Sequence, residues 1–227
     1  MTGTVLFVSG IDTDVGKTFA AGVLARELLN AGRNVITQKL IQTGCPGNLA
    51  LDIAEHRRLM GCGLLEVDRL GLTAPYVLKY PASPHLTAEL EGVQYDFGRI
   101  DDATRRLQRE FELVLLEGAG GLMVPLTRNY LAIDFIEERN YPLILVTSGK
   151  LGSINHTLLS LEAAARRGIE IAGVIYNRFP VIDDLIEEDS RRVIADYLEQ
   201  YAHGAAMVEL PPDGGDVDFR PLLTSLG

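Results

Sequence analysis

The sequence predicts an α/β fold in which a mostly parallel β-sheet is covered by helices on both faces. Short apolar runs alternate along the chain with longer segments of helical period, an order typical of parallel strands joined by helices. The predicted strands are almost continuously apolar, which indicates burial on both faces of the sheet. With 227 residues, 47% of them hydrophobic, the chain can bury one substantial core, so we expect a single domain over residues 1–227.

The first part of the chain predicts a strand, a loop, a helix and a second strand. Residues 5–9 are an apolar run, residues 17–31 have helical period and end at Gly32, and residues 34–39 are again strand-like. Residues 43–100 are interrupted by prolines and glycines, so we expect loops and short helices there. An irregular stretch of this kind between core strands usually carries residues that determine specificity.

The second half of the chain continues the alternation of strands and helices. Further buried strands are predicted over residues 113–117, 143–147 and 171–176. Helices with polar outer faces are predicted over residues 131–139, 154–167 and 183–201, and Gly168 ends the second of them. The order of these elements gives a doubly wound parallel sheet, followed by a Gly- and Asp-rich loop over residues 211–218.

The charge balance restricts the classes of partner. The chain has 31 acidic and 21 basic residues, and its net charge of -10 opposes contact with nucleic acid or anionic membranes. A local group of amides and lysines can still bind a nucleotide. No apolar run approaches the roughly 20 residues of a membrane span, and the N-terminus lacks the features of a secretory signal. Because Cys45 and Cys62 match no metal cluster, we expect a reduced, cytoplasmic protein.

The strongest local motif lies between the first predicted strand and the first helix, and reads Gly10-Ile11-Asp12-Thr13-Asp14-Val15-Gly16-Lys17-Thr18. In a phosphate-binding loop the backbone amides and the helix N-terminus surround the phosphates, Lys17 neutralises their charge and the Thr18 hydroxyl can ligate Mg²⁺. Five residues separate Gly10 from Gly16, where the common pattern has four. The flanking strand and helix favour a P-loop NTPase-like fold over the alternative, a simple helix start after a turn.

Other predicted strand ends should face this loop, because ligands bind beyond the carboxyl ends of the strands in an open parallel sheet. Lys39 ends the second strand, Glu117 ends the third, and the fourth leads to Lys150 and a helix start at Ser153. A charged Glu117 at the mouth of a buried strand needs a cation, and Mg²⁺ shared with Thr18 is the obvious one. A carboxylate that caps loop amides is the alternative. Lys39 is either a solvated strand end or a cation directed into the crevice.

Several other polar residues have two interpretations. Asp12 is explained equally well as an ordinary acidic loop residue and as a site residue. Asp14 is expected closer to the phosphates, which favours a role at the site. His56 and His85 are of a kind that more often lies at the surface or in a hydrogen bond than in catalysis, and we assign neither a chemical role. Ser83 reads first as a helix N-cap followed by proline, although its loop is also a candidate lining of a substrate pocket.

Together these segments resemble the dethiobiotin synthetase family. The motifs that carry the resemblance are the nine-residue loop, Gln38-Lys39, Thr43-Gly44, Ser83-Pro84-His85, Glu117-Gly118-Ala119-Gly120-Gly121, Lys150-Leu151-Gly152-Ser153-Ile154-Asn155-His156 and Asn177. The resemblance runs from the first strand to about residue 180, and the five-residue gap in the loop is a feature of the family. The chain has Asp14, Leu40 and Thr43 where the family often has Glu, Pro and Ser.

The resemblance implies a Mg²⁺-dependent enzyme of biotin biosynthesis that uses ATP to close a cyclic urea. Its substrates would be 7,8-diaminononanoate and CO₂. One amine takes up CO₂ to form a carbamate, and a carbamate oxygen attacks the γ-phosphorus of ATP. The second amine then attacks the carbonyl of the carbamic-phosphoric anhydride, which closes the ring and expels phosphate.

The resemblance also implies residue roles. Lys39 is the essential catalytic lysine, Lys17 binds phosphate, and Thr18, Asp52 and Glu117 hold Mg²⁺. Further ATP contacts are implied at Asp14, Val15, Gly16, Phe19, Gly118, Ala119, Gly120, Asn177, Arg178, Pro211, Pro212 and Asp213, with Asn177 reading the adenine edge and residues 211–213 flanking the base. Substrate contacts are implied at Thr43, Ser83, Gly152, Ser153 and Asn155. In this family the helix N-terminus at Gly152 contributes to the active site of the neighbouring subunit, which implies a homodimer with shared sites. An ordinary N-cap role for Ser153 is compatible with such a dimer.

Two rival functions share a similar loop. An amide-forming relative from cobyrinate or cobalamin synthesis generally carries a glutamine amidotransferase domain, for which 227 residues leave no room. A ParA/MinD-like switch usually has an additional lysine early in the loop, where this chain has Gly10-Ile11, and often a basic surface that the charge of -10 disfavours.

Overall fold

A six-stranded parallel sheet forms the centre of the computed structural model, which describes residues 2–180 and 183–226, the side chains of residues 224–226 excepted. Residues 1, 181, 182 and 227 of the expected domain lie outside this description. The strands are β1 (Thr4–Gly10), β2 (Val35–Lys39), β3 (Leu113–Gly121), β6 (Leu143–Ser148), β7 (Ile171–Asn177) and β8 (Ala206–Leu210). Their order across the sheet is β2-β3-β1-β6-β7-β8. A small antiparallel pair, β4 (Pro125–Thr127) and β5 (Tyr130–Leu131), lies outside the main sheet.

Helices connect the strands and cover the sheet. They are α1 (Lys17–Asn30), α2 (Leu51–Leu59), α3 (Glu66–Arg69), α4 (Pro84–Glu91), α5 (Phe97–Glu110), α6 (Ala132–Arg139), α7 (Ser153–Arg166) and α8 (Asp184–Tyr201), with a 3-10 helix at Arg220–Leu226. Among the described residues, no helix combines the length and the apolar character that crossing a lipid bilayer requires.

Alternate residues of each strand point into two separate cores. On β1, Phe7 belongs to one core with Phe135 of α6 and Leu107 of α5. Leu6 belongs to the other core, which contains the buried face of α1, including Leu24. All five of these side chains are fully buried. The predicted α/β fold with helices on both faces of a parallel sheet is therefore confirmed.

Most predicted elements match the structure to within a few residues, whereas β8, α5, the β4–β5 pair and the 3-10 helix were not predicted. The edge strand β8 buries only Val208 and Leu210 of its five residues, so its apolar run is too short to stand out from the sequence. Helix α5 has a periodic apolar face in Ile100, Ala103 and Leu107, but its many charges and its position after an irregular segment hide that face.

The register of the sheet brings the polar strand ends together. Lys39 of β2 lies directly opposite Glu117 of β3. Gly10, at the end of β1, lies opposite both Gly121 of β3 and Val146 of β6. Strand β3 continues beyond the predicted end at Glu117, to Gly121. The carboxyl ends of the central strands consequently form the floor of one crevice.

Candidate active site

The loop between β1 and α1 has the backbone conformation of an anion-binding turn. Gly16 immediately precedes α1 and has a φ of 94°, a left-handed conformation that favours glycine. A Cβ atom at this position would lie 2.3 Å from Nδ2 of Asn177, so the close approach of β7 also requires glycine. Asp14 is left-handed too, with a φ of 57°. The start of α1 is thereby opened toward the crevice, where its free amides can bind phosphate.

Lys17 is the first cation at this loop. Its side chain is nearly buried, and Nζ donates to the backbone oxygen of Asp12 at 2.8 Å. Burial, followed by repulsion from Lys39, lowers the pKa of Lys17 to about 8. A triphosphate beside Nζ would favour the charged form, since it supplies the opposite charge that the buried ammonium lacks.

Lys39 and Glu117 form the centre of the site. Nζ of Lys39 donates to Oε1 of Glu117 at 2.7 Å and to the backbone oxygen of Gly118 at 2.9 Å. The same ammonium lies 2.6 Å from Oδ2 of Asp52. Thr18 donates its hydroxyl to Oε1 of Glu117 at 3.0 Å. One ammonium therefore bridges two carboxylates directly beneath the start of α1.

The charges of this cluster support each other. Burial alone would raise the pKa of the fully enclosed Glu117, but Lys39 and His56 hold that pKa well below its ordinary value. Burial likewise opposes the charge of Lys39, yet Glu117 and Asp52 raise its pKa above the ordinary value. Both groups are consequently charged at neutral pH. The charge of each group is the main interaction that offsets the cost of burying the other.

Three oxygen-bearing side chains converge at this point and fit a divalent cation. Thr18, Asp52 and Glu117 offer a hydroxyl and two carboxylates, which are the hard ligands that Mg²⁺ prefers. Thr18 contacts Oε1 of Glu117, and Asp52 and Glu117 both contact Nζ of Lys39, so the three side chains surround one point. The arrangement thus contains the ligand atoms that such an ion requires.

A cavity of about 690 Å³ opens over this cluster. Thirteen of its lining residues are predicted site residues: Asp14, Gly16, Lys17, Thr18, Phe19, Lys39, Thr43, Asp52, Glu117, Ala119, Gly120, Asn177 and Pro212. The phosphate loop, the cationic cluster and two of the predicted base-binding residues, Asn177 and Pro212, therefore face one common space.

The remaining predicted site residues, all in the described part of the chain, do not line this cavity. They are Val15, Ser83, Gly118, Gly152, Ser153, Asn155, Arg178, Pro211 and Asp213. Two of them still support it, because Val15 accepts a hydrogen bond from Nδ2 of Asn177 and Gly118 accepts one from Lys39. The guanidinium of Arg178 is paired with Glu187 of α8.

Two predicted helix caps differ in detail from the structure. Helix α7 begins at Ser153, and Gly152, with a φ of 94°, takes the N-cap position that the sequence suggested for Ser153. The Ser153 hydroxyl instead lies 3.1 Å from that of Ser148. Ser83 does occupy the N-cap position of α4, but its side chain contacts Nδ1 of His85 at 3.1 Å and caps no backbone amide.

Six residues at the site were not predicted as site residues. Five of them line the cavity, namely Thr13, Ile41, Gln42, Glu55 and Phe179, and Phe179 is 61% exposed. His56 is fully buried, and its Nε2 atom lies 2.9 Å from Oε2 of Glu117. The signal for His56 was its position one helical turn after Asp52, since residues four apart share one face of a helix.

The chain is similar to known proteins over most of its length. A family model described as an AAA domain matches residues 4–212. The ATP-dependent dethiobiotin synthetase BioD of Chlorobaculum tepidum is 52% identical, over 92% of this chain and 87% of its own. ATP-dependent dethiobiotin synthetase BioD 2 of Haemophilus influenzae is 54% identical, over 81% and 96%. Its namesake from Pasteurella multocida is 48% identical, over 87% and 92%.

Proposed function

The chain belongs to the ATP-dependent dethiobiotin synthetase family, and we propose that it converts 7,8-diaminononanoate, CO₂ and ATP into dethiobiotin, ADP and phosphate. The observation that carries this proposal is the bridge that Lys39 forms between Asp52 and Glu117 beneath the phosphate loop. A carbamate that meets a triphosphate needs cations at the point of contact, and the cluster supplies one that is fixed in place.

The two lysines have different tasks in this reaction. Lys17, at the start of α1, binds the β- and γ-phosphates of ATP. Lys39 lies deeper, at the end of β2, and stabilises the negative charge that builds up as a carbamate oxygen attacks the γ-phosphorus. Fixed cations aimed at developing charge are the usual source of catalysis in phosphoryl transfer. Because the substrate's own second amine attacks the anhydride, no nucleophile from the protein is required.

We propose that Thr18, Asp52 and Glu117 hold Mg²⁺ together with the ATP phosphates. When bound, the ion would polarise the γ-phosphate and neutralise part of its charge. The support for this is the convergence of three oxygen donors on one side of the cavity. Lys39 then shares the two carboxylates with the metal and keeps their geometry fixed.

The remaining lining residues fit the two organic substrates. Asn177 and Pro212 both line the cavity, and we propose that they bind adenine. The Asn177 amide is oriented by two backbone bonds, to Val15 at 3.0 Å and from Phe179 at 3.1 Å, and keeps one N–H and one lone pair for the base. Thr43 also lines the cavity, which supports its role at the diamine.

We further propose a homodimer in which α7 of each chain serves the partner's site. Gly152, Ser153 and Asn155 lie outside the lining of their own chain's cavity, as a shared site requires. Near them, Met123 and Leu159 are 58% and 57% exposed and line a second groove of about 390 Å³. Light scattering should give twice the 24.8 kDa mass of one chain, whereas a single-chain mass would contradict the shared site.

We also infer one ATP-binding domain over residues 1–227, and a cytoplasmic location. The single main sheet, which takes strands from both ends of the described chain, supports one domain. The two free cysteines, Cys45 and Cys62, support a reducing compartment.

The proposed reaction is tested by measuring phosphate release from Mg²⁺·ATP by the purified protein. We expect release only when diaminononanoate and bicarbonate are both present, because the carbamate that forms from them is the nucleophile. ATP turnover without the diamine, stimulated instead by DNA or lipid vesicles, would contradict the proposal and favour a switch ATPase.

A further inference from the structure

A buried histidine lies directly behind the central carboxylate. His56 of α2 is 0% exposed, and its Nε2 atom is 2.9 Å from Oε2 of Glu117. Both ring nitrogens and Oε2 lack an aligned hydrogen bond within the described residues, so this contact is the one polar interaction available to that side of the carboxylate. Buried polar atoms are rarely left without a partner, and the exceptions concentrate at functional sites.

The two oxygens of Glu117 have separate surroundings. Oε1 accepts from two residues that line the cavity, Lys39 at 2.7 Å and Thr18 at 3.0 Å. Oε2 is buried and lies against His56. A carboxylate with one unsupported oxygen can rotate about its terminal torsion, which has broad minima. A donor behind Oε2 restricts that rotation and so fixes the direction of Oε1.

Helix α2 is itself held firmly, which gives His56 a fixed position. The neighbouring Arg57 is buried and donates to both carboxylate oxygens of Asp68, at 2.9 and 2.8 Å. It also donates to the Thr37 hydroxyl at 2.9 Å, on the strand that ends at Lys39. Leu59 packs against Gly22 of α1, where a Cβ atom would lie only 2.5 Å from it. Helix α2 is thus attached to β2, α3 and α1 together.

We propose that His56 is a positioning residue, whose Nε2–H holds Oε2 of Glu117 so that Oε1 stays directed at Lys39, Thr18 and the Mg²⁺·ATP complex. A small rotation of the ring aligns the N–H with Oε2. Groups that orient a metal ligand from behind typically contribute about 10- to 100-fold to metal affinity. The inference rests on the proposed function in one respect, that Glu117 is a Mg²⁺ ligand.

A matched pair of variants tests this role. In His56→Gln the side-chain amide nitrogen falls near the place of Nε2, whereas in His56→Asn it falls near Nδ1, too short to reach Glu117. We expect His56→Asn to raise the Mg²⁺ concentration for half-maximal binding of a non-hydrolysable ATP analogue about 10- to 100-fold, with metal-free nucleotide affinity unchanged. His56→Gln should restore most of the Mg²⁺ affinity. Thr87→Val, which removes a buried hydroxyl away from the cavity, should leave the Mg²⁺ requirement unchanged.

Calorimetry of nucleotide binding at several Mg²⁺ concentrations gives these values without turnover. Equal Mg²⁺ requirements in His56→Gln and His56→Asn, whether normal or weakened, would overturn the inference, as would the same change in Thr87→Val. If His56→Asn does not fold, ¹⁵N-NMR of the wild-type histidines decides. A proton bonded to Nε2 of His56 with a signal that shifts on Mg²⁺·nucleotide binding supports the inference, and an Nε2 without a proton overturns it. A wild-type protein whose nucleotide binding ignores Mg²⁺ would instead contradict the proposed function.

Discussion

At the scale of single residues, the site depends on charges that are buried together. Lys39 is 5% exposed and Glu117 is 0% exposed, so neither charge would be stable without the other. A buried pair of this kind adds little net stability compared with apolar residues. Its value lies in presenting an ammonium of fixed position to an incoming anion, and the cost of removing one partner should therefore appear in the reaction rate.

Lys39→Ala should lose turnover while nucleotide binding through Lys17 persists. The expected loss in kcat is about 10²- to 10³-fold, the size found when one fixed donor to a developing charge is removed. Phosphate release and calorimetric binding of ADP measure the two effects separately. Lys79→Ala provides the control, because Lys79 is exposed and lies outside the cavity lining. An unchanged rate in Lys39→Ala would remove this lysine from the mechanism.

The sequence predicted these residues unequally. Lys17 and Thr18 follow from the loop motif alone, since their roles depend on neighbours in sequence. The periodicity of the sequence did not decide whether the Lys39 side chain points to solvent or into the crevice. That direction depends on Glu117, which lies opposite Lys39 only in the folded sheet. His56 was given no role for a related reason: its spacing from Asp52 places both on one helical face, but its burial against Glu117 is a tertiary contact.

At the scale of elements, α2 is the part of the irregular segment that completes the site. It brings Asp52 to Lys39 and His56 to Glu117 on one helical face. The N–H of Asp52 donates to Oε1 of Gln42 at 3.0 Å, which fixes the start of the helix beside the end of β2. The buried pair of Arg57 and Asp68 fixes the rest of it.

Asp68→Asn should destabilise the protein in a pH-dependent way. Burial raises the pKa of Asp68, but bonds from Arg57 and Thr73 outweigh this and hold the pKa below its ordinary value of 3.8. The charged carboxylate therefore stabilises the fold at a pH above that ordinary value, and this contribution is lost as the pH falls through the lower folded pKa. The Asp68→Asn substitution removes this charge and leaves the buried Arg57 without its counter-ion, which should lower the free energy of unfolding by about 3–5 kcal/mol at neutral pH.

Urea unfolding of wild type and Asp68→Asn between neutral and acidic pH measures this effect. The difference in the free energy of unfolding should shrink once the pH falls below about 4. Asp102→Asn disrupts an exposed pair with Arg105 and should change stability little at any pH. A difference between wild type and Asp68→Asn that stays constant with pH would show that the stabilisation does not come from the charge of the Asp68 carboxylate.

The elements themselves were predicted to different degrees. Central strands such as β1 and β6 are continuous apolar runs and were found from the sequence. The edge strand β8 has only two buried residues, and α5 follows an irregular stretch, so local composition concealed both. The short helices between β2 and β3 were expected only as a class, because prolines and glycines show where regular structure breaks but not how the pieces pack.

At the scale of the whole molecule, strand order determines which residues meet. β3 lies between β1 and β2, so the ends of all three face the start of α1. The rule that ligands bind beyond the carboxyl ends of parallel strands predicted this convergence without coordinates. It did not give the strand order or the position of α2, which depend on packing across the two cores. The net charge of -10 is compatible with binding a triphosphate because Lys17 and the free backbone amides at the start of α1 offer local positive groups to the phosphates.

The central claim is that a carbamate oxygen, held beside Lys39, attacks the γ-phosphorus bound by Lys17. Fully ¹⁸O-labelled bicarbonate tests it most directly, in a short reaction with diaminononanoate and Mg²⁺·ATP, analysed by mass spectrometry before the label exchanges with water. Each carbamate then carries two labelled oxygens, one of which should appear in the released phosphate and the other in the ureido carbonyl of the product. Phosphate that takes its new oxygen from water would contradict the account, because it would show direct hydrolysis of ATP.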